Sequence, residues 1–182
     1  MIFNEELFLG KNGIEYILRS PQIEDAEKLI AYLKKTAAET EYGISYPEEM
    51  NFSIEDEEEF IRKFNNDKNS IIISALYKKS LVGNASLTSV LDKEKTKHRA
   101  TFGIAILKSE HGQGLGGQIL TELIKFVQGV GYEQIELEVV SSNLSAISLY
   151  KKKGFVVYGE RPCSFKLRSG NYSNELLMVL KL

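Results

Sequence analysis

Residues 101–131 read TFGIAILKSEHGQGLGGQILTELIKFVQGVG, and this stretch decides the fold. Its first part, Phe102 to Leu107, is apolar and predicts a buried strand. A polar connector then leads into four glycines, at positions 112, 114, 116 and 117. Apolar residues at helical spacing follow from Ile119 to Val127, and they predict an amphipathic helix that Gly129 and Gly131 end. The stretch therefore predicts a strand, a glycine loop and a helix in direct succession.

A glycine loop that opens a helix is suited to binding an anion, because the backbone is accessible and the first-turn N–H groups lack partners. Gly112, Gly114 and Gly117 match the G-x-G-x-x-G pattern of dinucleotide-binding proteins. Glu136 and Glu138 lie about 20 residues later, where a ribose-binding acid is expected. That pattern should, however, begin a long doubly wound fold, and only 65 residues remain after Gly117.

A resemblance supplies the second interpretation. The segment HGQGLG, from His111 to Gly116, resembles the Gln/Arg-x-x-Gly-x-Gly/Ala loop of the GNAT superfamily of N-acetyltransferases. That loop holds the pyrophosphate of acetyl-coenzyme A, and the family usually has Gln or Arg where this chain has His111. The segment LEVVSSNLSAISLYKKKGF, residues 137–155, resembles the next block of the family, with five residues in register: Asn143, Ala146, Tyr150, Gly154 and Phe155. The motifs are most similar to those of bacterial ribosomal-protein alanine and small-amine N-acetyltransferases.

Composition limits the other classes of function. The chain has 182 residues, of which 43% are hydrophobic and 26% charged, as expected for one globular domain over residues 1–182. A net charge of −2 gives no support for a nucleic-acid partner, and no apolar run reaches the length of a membrane span. One cysteine, Cys163, and two histidines offer no evident metal site. We expect a cytoplasmic protein, and a homodimer stays open.

The remaining elements fit the same fold. We expect strands at 14–19, 70–77, 81–91, 99–107, 134–140, 155–160 and 176–182, with helices after Pro21, from Ser53 to about Phe64 and over 143–153. Short connections predict an antiparallel meander, whereas the helix after the glycine loop makes the strand 134–140 parallel to its predecessor. The predicted fold class is α/β: a single-domain GNAT fold with a mixed, mostly antiparallel sheet, a central splayed parallel pair and helices on both faces.

The resemblance implies an acetyl-coenzyme A site and no metal. The coenzyme would lie along the strand before the loop, then against the loop itself and the start of the later helix. The residues that it would contact are Ile104, Ala105, Ile106, Leu107, Gly112, Gln113, Gly114, Leu115, Gly116, Gly117, Asn143, Ala146 and Tyr150. Asn143 also suits a plain helix N-cap, and both roles are compatible.

The resemblance also implies catalytic roles. Tyr150 stands where the family's tyrosine faces the thioester sulfur and gives a proton to the departing thiolate; alternatively, it only packs on the sheet. Many members place a glutamate on the strand before the loop, but this strand has none. Glu138 has the spacing to Tyr150 of the glutamate assigned as the base in ribosomal-protein alanine N-acetyltransferases; alternatively, it is an ordinary polar residue on a strand.

The acceptor is a small-molecule or peptide amine whose identity the sequence leaves open. Acceptor specificity in the family comes largely from the early helices, and residues 39–59 contain nine acids and no Lys or Arg. Such a segment attracts a cation, although the last five acids also suit a helix N-terminus. The candidate acceptor-binding residues are Glu39, Glu41, Tyr42 and Tyr46. An alternative function is a catalytically silent, acyl-coenzyme A-binding regulatory domain.

Overall fold

The computed structural model describes all 182 residues. Eight strands form a single mixed sheet, on which four α-helices pack. The strands are β1 (Glu6–Leu9), β2 (Glu15–Arg19), β3 (Ile71–Tyr77), β4 (Ser80–Ser89), β5 (Arg99–Ile106), β6 (Gln134–Val140), β7 (Val156–Lys166) and β8 (Tyr172–Lys181). The helices are α1 (Ala26–Glu39), α2 (Ile54–Asn66), α3 (Leu115–Val130) and α4 (Leu144–Lys152).

The strand order across the sheet is β1-β2-β3-β4-β5-β6-β8-β7. Only β5 and β6 are parallel, and every other neighbouring pair is antiparallel. The predicted meander and the parallel crossover through α3 are therefore confirmed, and so is the fold class. A doubly wound parallel sheet, which the dinucleotide interpretation requires, is not what this chain forms.

The helices cover both faces of the sheet. A Cβ added at Gly83 of β4 would lie 3.5 Å from Leu115 of α3, and one added at Gly116 of α3 would lie 3.3 Å from Leu149 of α4, so α3 and α4 share a face. On the other face, the hydroxyl of Tyr32 in α1 donates to the carbonyl of Ala105, 2.6 Å away. One continuous core of 30 buried residues results.

Local sequence explains where the helices begin and end. Ser53 caps α2, since its hydroxyl accepts from the N–H of Asp56 at 3.1 Å while the Asp56 carboxylate accepts from the N–H of Ser53, as predicted. Gly131 ends α3 in a left-handed conformation, with φ +84°. Gly129 lies inside that helix, so its predicted role as a stop is wrong.

Three other predictions need correction, and the first concerns strand β8, which begins at Tyr172 rather than at residue 176. Strand β1 was not expected, because Leu7 and Leu9 lie exposed in a short edge strand and give no alternating pattern. Strand β7 continues to Lys166 rather than ending at residue 160, because a β-bulge carries the strand past Pro162.

Candidate active site

The parallel strands β5 and β6 are paired at only one end. Their register contains three residue pairs: Arg99 with Gln134, Ala100 with Ile135, and Thr101 with Glu136. Beyond these pairs β5 stays on β4 and β6 stays on β8, so the two strands separate. The facing edges of residues 102–106 and 137–140 therefore have no ladder partner. An extended ligand can hydrogen-bond to such edges.

Successive residues of β5 direct their backbone N–H and C=O groups alternately towards β4 and towards this opening. The N–H of Leu107 donates to the carbonyl of Val82 on β4 at 2.9 Å, so Leu107 and, two residues earlier, Ala105 turn their backbone groups towards β4. Ile104 and Ile106 consequently turn theirs towards the opening. Of the four strand residues expected to contact the coenzyme, Ile104 has its backbone groups available for it, whereas Ile106 has its N–H available because its carbonyl oxygen lies 3.0 Å from Nε2 of His111.

The glycine loop ends with a row of unpaired donors. Gly112 and Gly114 have φ of +80° and +87°, and α3 begins directly afterwards at Leu115. The backbone N–H groups of residues 112–117 donate to no acceptor in the chain, and the first bond of the helix runs from Gln118 to the carbonyl of Gly114. Unpaired N–H groups at the positive end of a helix dipole make a site for an anion such as a pyrophosphate.

Neighbouring segments hold the glycine loop in place. The carbonyl of Gln113 accepts from the N–H of Lys11 in the β1–β2 hairpin at 3.2 Å. The Nε2 atom of His111 lies 3.0 Å from the carbonyl oxygen of Ile106. His111, the residue that departs from the family pattern, thus ties the loop to the end of β5.

The short 3₁₀ turn Lys108–Glu110, which lies between β5 and the glycine loop, is held by hydrogen bonds from two other parts of the chain. Tyr16 of β2 donates to Oε2 of Glu110 at 2.7 Å, and burial together with this bond raises the pKa of Tyr16. On the other side, Oε2 of Glu39 accepts from the N–H of Lys108 at 2.7 Å. Glu39, a candidate acceptor residue, thus also contacts the turn that precedes the loop, and its acceptor role stays a prediction.

Tyr150 lies in α4 and is 7% exposed. Its ring packs on Phe102 of β5 and Phe155, with centroid distances of 5.8 and 5.9 Å. Burial raises the pKa of Tyr150 to about 12, and its hydroxyl makes no hydrogen bond within the chain. The hydroxyl oxygen is nevertheless accessible rather than enclosed in the core. The side chain is therefore a protonated, unpartnered donor beside the residue where β5 leaves β6.

Asn143 begins the helix that carries Tyr150. Its Oδ1 accepts from the N–H of Ala146 at 3.2 Å, which is the N-cap role considered for it from sequence. The cap fixes the first turn of α4 at the end of β6.

Glu138 lies on β6 and is bound on both oxygens. Leu137 and Val139 point into the core with Tyr150, so Glu138 lies on the opposite face of the sheet. Arg161 of β7 donates to its two oxygens, each at a distance of 2.7 Å. This bond to Glu138 raises the pKa of the Arg161 guanidinium, which stays charged.

Three of the four candidate acceptor residues lie in or beside the segment between α1 and α2, which crosses the mouth of the opening. The hydroxyl of Tyr42 is 3.5 Å from the carbonyl oxygen of Ser142 at the end of β6. The hydroxyl of Tyr46 accepts from the N–H of Arg168 at 3.1 Å, and the Arg168 guanidinium lies 3.7 Å from the Tyr46 ring centroid. Glu41 is exposed and has no hydrogen-bond partner. The segment therefore touches both the β6–α4 turn and the β7–β8 hairpin.

Several residues near the site were missed in the sequence. Arg161, Arg168 and Glu175 come from β7, β8 and their hairpin, a region that the sequence patterns left without a role. Pro162 is the available signal, because a proline inside a strand pattern marks an edge or a bulge. That rule locates the irregularity but says nothing about which side chain it redirects.

The three lysines that follow Tyr150 differ in their contacts. The Lys153 ammonium donates to Oγ1 of Thr121 in α3 at 2.6 Å, whereas Lys151 and Lys152 are exposed in the last turn of α4. The Cys163 thiol is free and exposed.

No group of three or more His, Cys, Asp or Glu side chains is placed to hold a metal ion. None of the helices has both the length and the apolar character needed to cross a membrane.

Comparison with known proteins places these features in a family. The model of the acetyltransferase (GNAT) family matches residues 26–155. The L-amino acid N-acetyltransferase AaaT of Escherichia coli (strain K12) is 29% identical over 100 residues, which cover 54% of this chain and 60% of the relative. The curated relatives are thus matched over less than two thirds of their length.

Solved structures match over almost the whole chain. An acetyltransferase of the GNAT family from Streptococcus pneumoniae superposes with a TM-score of 0.87 at 26% identity, covering 92% of this chain and 99% of that one. A ribosomal-protein-alanine N-acetyltransferase from Brucella melitensis gives 0.79 at 20% identity over 91% and 99%. The acetyltransferase yncA from Salmonella typhimurium, solved with its cofactor acetyl-CoA, gives 0.79 at 16% identity over 92% and 94%. The last two likenesses concern the fold.

Proposed function

The chain belongs to the GNAT family of acetyltransferases, and on that basis we propose that it moves the acetyl group of acetyl-coenzyme A to a primary amine. Residues 1–182 would form a single N-acetyltransferase domain, in keeping with one continuous core. The acceptor is a small-molecule or peptide amine. The acetyl group passes directly from the thioester to the amine, with no acyl group held on the protein.

One observation carries the proposal: the unsatisfied donors of the chain converge on the opening between β5 and β6. The N–H groups of residues 112–117 have no acceptor, and the hydroxyl of Tyr150 has no partner. Gly112 and Gly114 are exposed, but Leu115, Gly116, Gly117 and Tyr150 are buried or half-buried. Polar groups in such positions are normally hydrogen-bonded, so unpaired ones point to a ligand. The yncA structure, which holds acetyl-CoA, shares this fold.

The coenzyme would be held by the chain in three places. The pyrophosphate would accept hydrogen bonds from the glycine loop, residues 112–117, at the start of α3. The pantetheine would run along the free edge of β5, where Ile104 and Ile106 turn their backbone groups outward. Asn143 and Ala146 at the start of α4 would line the other side, and Tyr150 would lie near the sulfur.

In the transfer, the amine nitrogen forms a bond to the acetyl carbon and the carbon–sulfur bond breaks. A cationic amine loses two protons: Glu138 would accept the first, directly or through a water, before the nitrogen attacks, and the second would replace the proton that Tyr150 gives up. Tyr150 would donate a proton to the departing thiolate, and its raised pKa keeps that proton in place at neutral pH. Glu138 and Tyr150 lie on opposite faces of the sheet. Glu138 would therefore accept a proton on one face while Tyr150 donates one from the other face.

The acceptor would enter beneath the segment between α1 and α2. Glu41, Tyr42 and Tyr46 lie in this segment, and Glu41 has no partner within the chain. An exposed carboxylate at the entrance would attract a cationic amine. Glu39 would act indirectly, because it holds the turn at Lys108.

Release of free thiol from acetyl-coenzyme A over a panel of small amines, amino acids and peptides tests the function. We expect a release of thiol that depends on the amine, and calorimetry should show binding of acetyl-coenzyme A and not of NAD. Binding of acetyl-coenzyme A with no release on any amine would instead support the silent, acyl-coenzyme A-binding regulatory domain. Binding of NAD alone would contradict the assignment of the glycine loop.

A further inference from the structure

The guanidinium of Arg161 contacts two carboxylates near the opening. Its Nη1 and Nη2 atoms each donate to one oxygen of Glu138 at 2.7 Å. The same Nη1 donates to Oε2 of Glu175 on β8 at 2.9 Å. One guanidinium thus joins two carboxylates, and Glu175, with a side chain 9% exposed, is the more buried of the two.

Arg161 stands opposite Glu175 in the β7–β8 register, and β7 bends directly after it. The register between β7 and β8 shifts between Arg161 and Phe165, and Cys163 within the shift has φ +51°. A left-handed conformation is costly for a residue other than glycine, and such strain persists only where surrounding contacts enforce it. Here the Oδ1 atom of Asn174 accepts from the N–H of Cys163 at 2.9 Å.

The bulge also brings a second residue of β7 to the same place. The hydroxyl of Ser164 donates to the Glu175 oxygen that Arg161 contacts. Residues three apart on a regular strand point to opposite faces, so only the bulge lets Arg161 and Ser164 meet at Glu175. Glu175 and Ser164 therefore anchor Arg161, and Arg161 in turn holds Glu138.

The bidentate bond leaves Glu138 able to act. An ionised carboxylate has about four lone-pair positions, of which the guanidinium uses two. The Glu138 side chain is 49% exposed, and without a partner it would sample many rotamers. A fork of two hydrogen bonds fixes the plane of the carboxylate and thereby the direction of its free lone pairs.

We propose that Arg161 is a positioning residue that fixes the Glu138 carboxylate so that its free lone pairs meet the amine of the acceptor or the water next to it. The inference rests on the proposed function, and it extends it to a residue outside both family motifs. Arg161 touches neither the coenzyme nor the acceptor in this role. It acts through Glu138, which makes the proposal testable by a double-mutant cycle.

The chain contains a matched control. Arg99 of β5 donates to Glu136 of β6 through Nε and Nη2, at 2.5 and 2.6 Å, on the same face of the sheet. That pair is also bidentate, but it lies at the paired end of the two strands. A loss caused by removing any Arg–Glu pair from the sheet would appear at Arg99 as well.

The cycle compares kcat/KM for the amine in the wild type, Arg161→Met, Glu138→Gln and the double variant, with Arg161→Lys and Arg99→Met alongside. We expect Arg161→Met to lower kcat/KM for the amine about tenfold, with KM for acetyl-coenzyme A changed less than about twofold. Arg161→Lys should recover only part, because an ammonium lacks the fork. In the Glu138→Gln background, Arg161→Met should change the rate less than about twofold.

Each other outcome is informative. Equal losses from Arg161→Met in both backgrounds, or a similar loss in Arg99→Met, would overturn the positioning role, as would full activity in Arg161→Met. Thermal denaturation of each variant shows whether it is folded, and Arg161→Lys keeps the test usable if Arg161→Met is not. A wild type that releases no thiol with any amine removes the transferase assignment and this role together, whereas an active wild type with equal losses removes this role alone.

Discussion

The two ends of the β5–β6 pair use the same residue types in different ways. At the paired end, Glu136 is 14% exposed and bound to Arg99, and the buried hydroxyl of Tyr132 donates to the carbonyl of Asn69 at 2.8 Å. At the open end, Glu138 is 49% exposed and the hydroxyl of Tyr150 has no partner. The tyrosine hydroxyl at the paired end is satisfied within the chain, whereas the one at the open end is left for a ligand; Glu138 is bound to Arg161 but is far more exposed than Glu136. This difference, more than residue type, separates structural from catalytic candidates.

The largest effect should come from the two buried tyrosines. Tyr150→Phe should lower kcat about 10²–10⁴-fold, because a general acid is removed while the ring and its packing remain. Tyr132→Phe is the matched control, since both tyrosines are 7% exposed. It should leave kcat unchanged but cost about 1 kcal/mol of unfolding free energy, since the carbonyl of Asn69 loses its hydrogen bond.

Steady-state rates and denaturant unfolding of both variants check this contrast. A fully active Tyr150→Phe enzyme would contradict the acid role. Because burial raises the pKa of Tyr150 to about 12, the wild-type kcat should show no loss from this group as the pH rises from 7 to 10. If kcat falls in that range and Tyr150→Phe removes the fall, the hydroxyl ionises at a lower pH than its burial implies.

A smaller effect should distinguish the two ends of α3. Gly114 and Gly131 have φ of +87° and +84°, so alanine at either position costs roughly 1–2 kcal/mol of left-handed strain. Only Gly114→Ala also disturbs the row of N–H donors, and losing one charge-assisted hydrogen bond should raise the Kd for acetyl-coenzyme A about tenfold. Calorimetry on both variants measures this. Equal affinities would mean that the coenzyme does not contact the loop.

The smallest effect should come from the Arg99–Glu136 ion pair at the paired end. Arg99→Met should leave kcat within about twofold while lowering Tm by a few degrees, since a charged hydrogen-bond pair contributes about 1–2 kcal/mol. Arg99 holds the pKa of Glu136 below its usual 4.5. The stabilisation is therefore present above about pH 4.5 and is lost as the pH falls through the lowered pKa. The melting temperatures of the two proteins should therefore approach each other as the pH falls from 4.5 through the lowered pKa of Glu136, and a constant gap would contradict this origin.

Much of the fold could be predicted because local sequence and tertiary structure agree. The β5–loop–α3 unit, the Ser53 cap and the meander follow from periodicity and glycine placement, each within a residue or two. Strand β1 was missed because an exposed edge strand has no burial to impose alternation. The full length of β7 was missed because Pro162 and Cys163 interrupt its pattern, and only the contacts of Asn174 with the bulge show why the strand continues.

Less of the candidate site than of the fold could be predicted from the sequence. Glycines, Asn143 and Tyr150 stand in motifs, but Arg161 and Arg168 act through contacts with residues far away in the chain, to Glu138 and Tyr46. Glu39 is a second case: its charge made it a candidate for binding the acceptor, and no sequence pattern indicated that its carboxylate also accepts from the N–H of Lys108. Pairing of side chains across a sheet depends on register and bulges, which single-sequence patterns do not specify.

The most direct test of the difference between the two ends is a map of backbone amide chemical shifts on adding acetyl-coenzyme A. Amides of residues 102–106 and 112–117 should shift most, whereas those of 99–101 and 134–136 at the paired end should stay close to their free positions. Tyr150→Phe should give the same map, because its ring still lines the opening. Shifts concentrated at the paired end, or on the exposed outer surface of α4, with residues 102–117 unchanged, would contradict the placement of the coenzyme in the opening.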